Sequence, residues 1–313
     1  MGQKVNPIVF RVGSYNKLWE SQYCGKNMEE SSYYLFQDLE IRKYLDIFFE
    51  SNGMIIHNCI IKRSNSKLNI FINFYITSKI STKALQTFSS VSSFKSSIVK
   101  KSTKPKRFLN LSFIKKKLKN QLLSNLLNNS NLTINPDNFK YSGFKKKLVK
   151  TLLKFSGSLK VNLKLNNVQN ETVYNLNKGI DFKSTVQELS GYSRERFFNE
   201  MVEILMVNSS TSNTAKLLSR FIALQFQITK RHNTFLTFLK RATFLFNSSP
   251  NSKILGIKII ITGKFNGAPR AKKRTIQSGR LPLQSFNSKI DYHNTDAFTP
   301  YGTFGVKVWI CEQ

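Results

Sequence analysis

Acid is scarce in this chain of 313 residues: 17 Asp plus Glu stand against 49 Lys plus Arg, for a formal net charge of +32. Seven of the acids, Glu20, Glu29, Glu30, Asp38, Glu40, Asp46 and Glu50, precede residue 51, and none lies between Glu203 and Asp291. An excess of that size opposes compaction unless a polyanion neutralises it. Cysteine and histidine are just as sparse. Cys24, Cys59 and Cys311, and His57, His232 and His293, are scattered without a CxxC or a His/Cys cluster. That excludes a disulfide framework and a structural zinc site, favours a reducing compartment, and leaves no cofactor or metal to expect. No apolar run approaches the roughly 18 residues of a membrane span; the most apolar, NIFINFYI (69–76), is strand-length. The start, MGQKVNPIVF, lacks both the apolar core of a secretory signal and the Arg-rich amphipathic helix of a transit peptide, so no import signal is expected.

What is present is enough apolar material to fold. The chain is 40% hydrophobic with 26 Phe, which separates it from a disordered basic tail. A basic chain of ordinary hydrophobicity points to nucleic acid ahead of an anionic membrane surface. The basic residues are spread over loops and helices without a Trp- or Leu-rich amphipathic anchor, which weighs against the membrane. Heavy use of Lys, Asn, Phe, Ile and Ser resembles a chain encoded in an A+T-rich genome, such as an organelle's.

Periodicity divides the chain. DLEIRKYLDIFFE (38–50) sets Leu39, Ile41, Leu45, Phe48 and Phe49 at helical spacing, with Asp38 as N-cap and Asn52-Gly53 as the stop. MIIHNCIIKR (54–63) and KLNIFINFYI (67–76) alternate as two strands joined by SNS (64–66). From 78 to 140 the text is Ser/Lys- and Asn/Leu-rich with weak period, and residues 95–154 hold sixteen basic side chains and one acid, Asp137. This stretch reads as a basic insertion, partly disordered without a partner. GFKKKLVKTLLKFSG (143–157) is an amphipathic helix, and KVNLKLNNV (160–168) a strand. A second irregular stretch, 169–212, surrounds a short helix at 194–206, and one long helix is predicted over 214–246. ILGIKIIITGKF (254–265) and YGTFGVKVWI (301–310) are strands. The class is α+β.

Between those last strands lies ITGKFNGAPRAKKRTIQSGRLPL (261–283), with six basic residues and no acid. Gly263 and Gly267 would permit a tight turn and close backbone approach, and Pro269 would stiffen the loop. Lys264, Arg270, Lys272, Lys273, Arg274 and Arg280 would meet phosphates, with arginine adding bidentate contacts. The competing reading of AKKR is a nuclear localisation signal.

Several of these stretches resemble one family. MGQKVNPIVFRVG (1–13), GIKIIITGKFNGA (256–268), GRLPL (279–283), IDY (290–292) and YGTFGVKVWI (301–310) are similar, in order and spacing, to the small-subunit ribosomal protein S3 family. The resemblance implies a type II KH-like domain, followed by a C-terminal α/β S3 domain, with basic insertions. The implied division is 1–37 as an rRNA-binding segment, 38–77 and 141–168 as the halves of the KH-like domain, 78–140 and 169–212 as insertions, and 213–313 as the C-terminal domain. The GxxG loop, through which a KH domain holds RNA backbone, is degenerate: TSKI (77–80) has no glycine and YSGF has Gly143 alone. The resemblance further implies rRNA contacts through Gln3, Lys4, Asn6, Pro7 and Arg11 besides the six basic residues above. It implies a place where mRNA enters the subunit for Lys230, Arg231, Lys240 and Arg241, and ribosomal proteins S10 and S14 as neighbours. A mitochondrial small subunit is favoured over a plastid one, because the KH loop is lost and the insertions are large.

Two other readings compete with it. One is a free-standing RNA-binding factor, an RNA chaperone or splicing helper on the same scaffold. The other is an enzyme; Asp291, His293 and Asp296 lie close in sequence, but no carboxylate pair or Ser/His/Asp set marks a catalytic site, and none is expected.

Overall fold

The computed structural model describes residues 5–13, 19–64, 67–77, 142–156, 160–169, 183–229, 231–249 and 252–312. The basic insertion at 78–140 therefore lies outside the described residues. The chain divides into two compact units, Met1–Ile80 with Phe155–Gln313, and Ser81–Lys154.

Helix α1 (Pro7–Phe10) starts on Asn6, whose side chain accepts from the Ile8 amide at 3.0 Å. Proline at the first helical position forfeits no hydrogen bond there. A two-residue strand β1 (Ser21–Gln22) precedes α2 (Met28–Ser51). Helix α2 is capped at Asn27, eleven residues before the predicted Asp38 cap, with Glu29 and Glu30 in its first turn, where the helix dipole favours negative charge. Asp38 is buried in the helix interior and ion-paired to Arg63 at 2.9 Å. The cap prediction failed because the apolar residues of MEESSYYLFQ, among them Met28, Tyr33, Leu35 and Phe36, are exposed and form no buried stripe. Ile41, Leu45 and Phe49 are fully buried, whereas Leu39 faces solvent.

Strands β2 (Met54–Arg63) and β3 (Lys67–Ile76) pair antiparallel, and β4 (Lys160–Asn167) lies parallel beside β3 in the sheet order β1-β2-β3-β4. A parallel neighbour demands a long crossover, and here it spans residues 77–159. Helix α3 (Ser142–Ser156) occupies the end of that crossover and buries Leu148 and Leu152.

After a short helix α4 (Lys183–Glu188), the second irregular stretch gives way to α5 (Phe198–Ser210), four residues later than predicted, with Met201, Ile204, Leu205 and Val207 fully buried. The predicted long helix is two: α6 (Ala215–Ile228) and α7 (His232–Ser248). Thr229 ends α6 in extended backbone, its hydroxyl donating to the Gln225 carbonyl at 2.7 Å. Apolar spacing survives such a break, so periodicity alone did not reveal it.

The second sheet, β5 (Ile254–Gly263), β6 (Lys272–Gly279), β7 (Lys289–Thr299) and β8 (Gly302–Glu312), is antiparallel in the order β6-β5-β8-β7. Helices α6 and α7 cover one face. There Phe221, Phe226, Phe235 and Phe246 bury against Ile257, Ile259, Phe304 and Val306, each such side chain contributing about 1.5–3 kcal/mol. Arg220 joins α6 to α2 through a two-bond pair with Asp46, at 2.8 and 2.7 Å.

Candidate nucleic-acid interface

The stretch read as a basic loop is largely the edge strand β6. It pairs with β5 from Gly256↔Gly279 to Gly263↔Lys272, which leaves only 264–271 as the turn. Gly267 adopts φ +76, as a turn requires, but Gly263 serves packing: a Cβ there would stand 2.2 Å from Phe304 Cδ1. The turn is held from α7. The His232 amide donates to Asn266 Oδ1 at 3.0 Å, and the Asn266 amide donates to His232 Nδ1 at 3.2 Å.

Lys264, Arg270, Lys272, Lys273, Arg274 and Arg280 are all exposed. Among the described residues none of them enters an ion pair. Strand alternation divides them. Lys272 and Arg274 share the face of buried Ile276, beside α7, while Lys273 opposes Thr262 on the open face. Cations on an edge strand also discourage strand addition by another chain. Along α7, Lys240 and Arg241 are exposed beside exposed Phe244, and Arg231 is exposed at the helix start. Helix α7 packs along β6 and β5, so its cations and those of β6 border the same sheet edge. Lys230 lies outside the described residues, as do Gln3 and Lys4.

The described N-terminal residues make structural contacts. Arg11 is 5% exposed, and its guanidinium donates to the carbonyls of Pro7, Leu283 and Ser285 at 3.1, 2.8 and 2.8 Å. It clasps α1 to the turn after Arg280, with Phe10 stacked on Phe286 at 4.2 Å. Asn6 caps α1 and Pro7 is buried in it. Asn6, Pro7, Phe10 and Arg11 thus build a structural corner.

The open face of the second sheet adds residues the sequence reading passed over. Registers Tyr292↔Trp309, Lys258↔Trp309 and Lys258↔Gln277 align one row across all four strands, and Asn294↔Lys307 with Ile260↔Lys307 begin the next. Tyr292 and Trp309 rings lie 5.1 Å apart. Lys258 and Lys307 were hidden because each is a single cation inside an apolar strand, and only cross-strand register gathers them.

Titratable groups near α6 are committed to structure. Asp291 Oδ2 accepts from the Ala215 amide at 2.8 Å, and His293 Nδ1 meets Ser219 Oγ at 2.8 Å. Burial pushes His293 and His57 each down to about 4, and lifts the Cys59 thiol to about 11. Burial and then neighbouring Arg220 lower Lys216. Among the described residues no three His, Cys, Asp or Glu side chains group as metal ligands, and no helix is long and apolar enough to cross a membrane.

Residues 228–310 match the family described as Ribosomal protein S3, C-terminal domain. Relatives include Small ribosomal subunit protein uS3 of Karelsulcia muelleri, 56% identical over 55 residues, 18% of this chain and 24% of that one. Small ribosomal subunit protein uS3c of Chara vulgaris is 35% identical over 128 residues, 41% of this chain and 54% of the relative. Small ribosomal subunit protein uS3 of Cereibacter sphaeroides is 32% identical over 133 residues, 42% and 52% of the two chains. The matched segments thus span from about a quarter to about half of these relatives.

Proposed function

We propose that this chain is a ribosomal protein S3 family member, matched through its C-terminal domain, and a structural, rRNA-binding component of the small ribosomal subunit. The observation that carries the reading is the β6 edge: six exposed cations without a counter-charge among the described residues, on the domain that bears the family match. Such a surface gains free energy by releasing counterions from folded RNA. Phosphate contacts position a protein without specifying sequence, so the shape of the rRNA supplies selectivity. Arg231, Lys240 and Arg241 on α7 are assigned to mRNA where it enters the subunit, with Lys230, and S10 and S14 are the proposed protein neighbours. The family is one of structural proteins, which agrees with a chain whose Asp291 and His293 are spent on packing.

The helix-strand-strand-helix-strand order of α2, β2, β3, α3 and β4, with β4 parallel to β3, supports reading this part as a degenerate type II KH-like domain. Gly143, the lone glycine near the missing loop, lies within α3. The proposed division keeps 78–140 and 169–212 as insertions and 213–313 as the C-terminal domain, with α5 of the second stretch packed into the core. We place the ribosome in an organelle, mitochondrial ahead of plastid, on the compositional bias and the lost loop.

Sedimentation of an organelle lysate tests the assignment. The chain is expected to travel with small-subunit rRNA after magnesium is withdrawn; migration at the top of the gradient would overturn it in favour of a free RNA-binding factor. For the surface itself, Lys272→Gln/Lys273→Gln/Arg274→Gln should lower the slope of log affinity against log salt by about 2.7 for a target with duplex character, measured by filter binding to small-subunit rRNA. An unchanged slope would remove β6 from the interface.

A further inference from the structure

A second nucleic-acid surface lies on the first sheet, where the family resemblance offers only a missing loop. Helix α2 packs on β2, and the buried residues Leu68, Ile70, Ile72 and Phe74 of β3 occupy one side of the sheet. The residues between them face the other way. Register sets these into a three-by-three array. Phe71, 36% exposed, is its centre, with Ile60 on one side and Lys164 on the other. Above it stand Lys62, Asn69 and Asn162, and below it Asn58, Asn73 and Asn166. Lys67 and Lys160 extend the face by one further row.

The chemistry of this array is specific. Strands 54–63, 67–76 and 160–167 contain no acid. Asn162 donates to Asn69 at 2.9 Å and Asn166 donates to Asn73 at 3.2 Å. Each bonded amide pair still holds an unused N–H₂ hydrogen and carbonyl lone pairs pointing outward, which a base edge or a 2′-hydroxyl satisfies. An exposed ring on a central strand, with cations one strand away at roughly 5 Å, is the arrangement that stacks a base and meets its phosphate. At the Asn58/Asn73 end the face continues into a polar cleft of about 620 Å³, lined by Ser210, Thr211, Asn213 and Lys253.

We propose that this face binds single-stranded RNA, with one base stacked on Phe71, its flanking phosphates on Lys62 and Lys164, and the asparagine pairs bonding neighbouring base edges. It concerns a different sheet from the β6 edge and does not depend on the ribosomal assignment. A duplex is excluded from the stacking step, since its bases are already stacked and paired.

The test uses the full-length chain and two labelled probes, a U12 oligonucleotide and a 12-base-pair RNA duplex, followed by fluorescence anisotropy. Phe71→Ala is expected to weaken U12 binding roughly tenfold with the duplex affinity unchanged. Lys62→Gln/Lys164→Gln should lower the U12 salt slope by about 1.4. Because Phe71 is 36% exposed, the variant should fold; circular dichroism checks this, and photo-crosslinking of 5-iodouridine-substituted U12 to unaltered protein gives an independent reading at Phe71. Equal U12 affinity in Phe71→Ala, or crosslinks confined to 264–280, would overturn the proposal. So would loss of poly-glutamate binding in the lysine variant without a change for U12, which would make this a face for an acidic protein. Co-sedimentation of Phe71→Ala with the small subunit separates this outcome from failure of the ribosomal reading.

Discussion

His232 and Asn266 bond each other twice, amide to side chain in both directions, across the start of α7 and the turn of the basic hairpin. Nδ1 of His232 is an acceptor in this pair, so the ring must be neutral there. Asn266 sits at φ +53, a left-handed conformation that asparagine tolerates better than most residues. The pair therefore sets the angle at which the β5–β6 hairpin leaves the helix layer. Asn266→Ala should cost about 2 kcal/mol, combining a lost hydrogen bond with strain at positive φ. Asn266→Gly, which keeps the backbone freedom, should cost about half that. Urea unfolding of both variants checks the ordering.

Arg11 makes a different prediction from the one its motif suggests. Replacing it with Gln should destabilise the chain by about 1.5–3 kcal/mol, since the part-buried carbonyls of Leu283 and Ser285 lose a charged donor. The salt slope of rRNA binding should stay the same, because no phosphate contact is lost. A drop in slope equal to that of Lys272→Gln would show that Arg11 reaches RNA after all.

Acid should unfold this protein in a defined window. His57 and His293, with ordinary values of 6.5, lie at about 4 in the folded chain because burial disfavours their charged forms, and the nearby Lys216 adds to the effect. The unfolded chain then binds more protons below pH 6.5. Their stabilisation is complete above that pH and is lost as pH falls toward 4. The urea midpoint should decline across this window, and His57→Gln/His293→Gln should flatten the decline.

Arg63 and Asp38 form a buried ion pair, with Arg63 Nη1 also donating to Gln37 Oε1 at 2.7 Å and the guanidinium 4.5 Å from the Tyr34 ring centre. Asp38→Asn should cost roughly 3–5 kcal/mol, because a buried guanidinium loses its counter-charge. Asp38→Leu/Arg63→Met should recover much of that loss. Thermal melts of the single and double variants distinguish the pair's net worth from the penalty of breaking it.

The strands were the most legible part of the fold. Alternation in 54–63, 67–76 and 301–310 predicted elements that the structure places at Met54–Arg63, Lys67–Ile76 and Gly302–Glu312. Strand period is two, and a half-buried strand displays it within a few residues. Helix limits were less legible. The predicted 214–246 helix kept its apolar spacing across a turn, and the apolar residues of α2's first turns face solvent and give no core stripe. The β6 strand, mostly polar on both faces, looked like a loop because only Ile276 and Ser278 in it are buried.

What the sequence determined by itself was charge, class and neighbourhood: a +32 chain with enough apolar residues for a core, strand and helix periods in α+β order, and a basic hairpin among family-like motifs. Those properties are additive along the chain, so they are readable without coordinates. What only the tertiary structure decided was which cations are free. Arg11, Arg63 and Arg220 are basic residues like Lys272 or Arg274, yet carbonyls, Asp38 and Asp46 claim them. Likewise, Lys258 with Lys307, and Phe71 with Lys164, become neighbours only through cross-strand register. Electrostatic availability depends on distance in space, and that is fixed by folding, not by spacing along the chain.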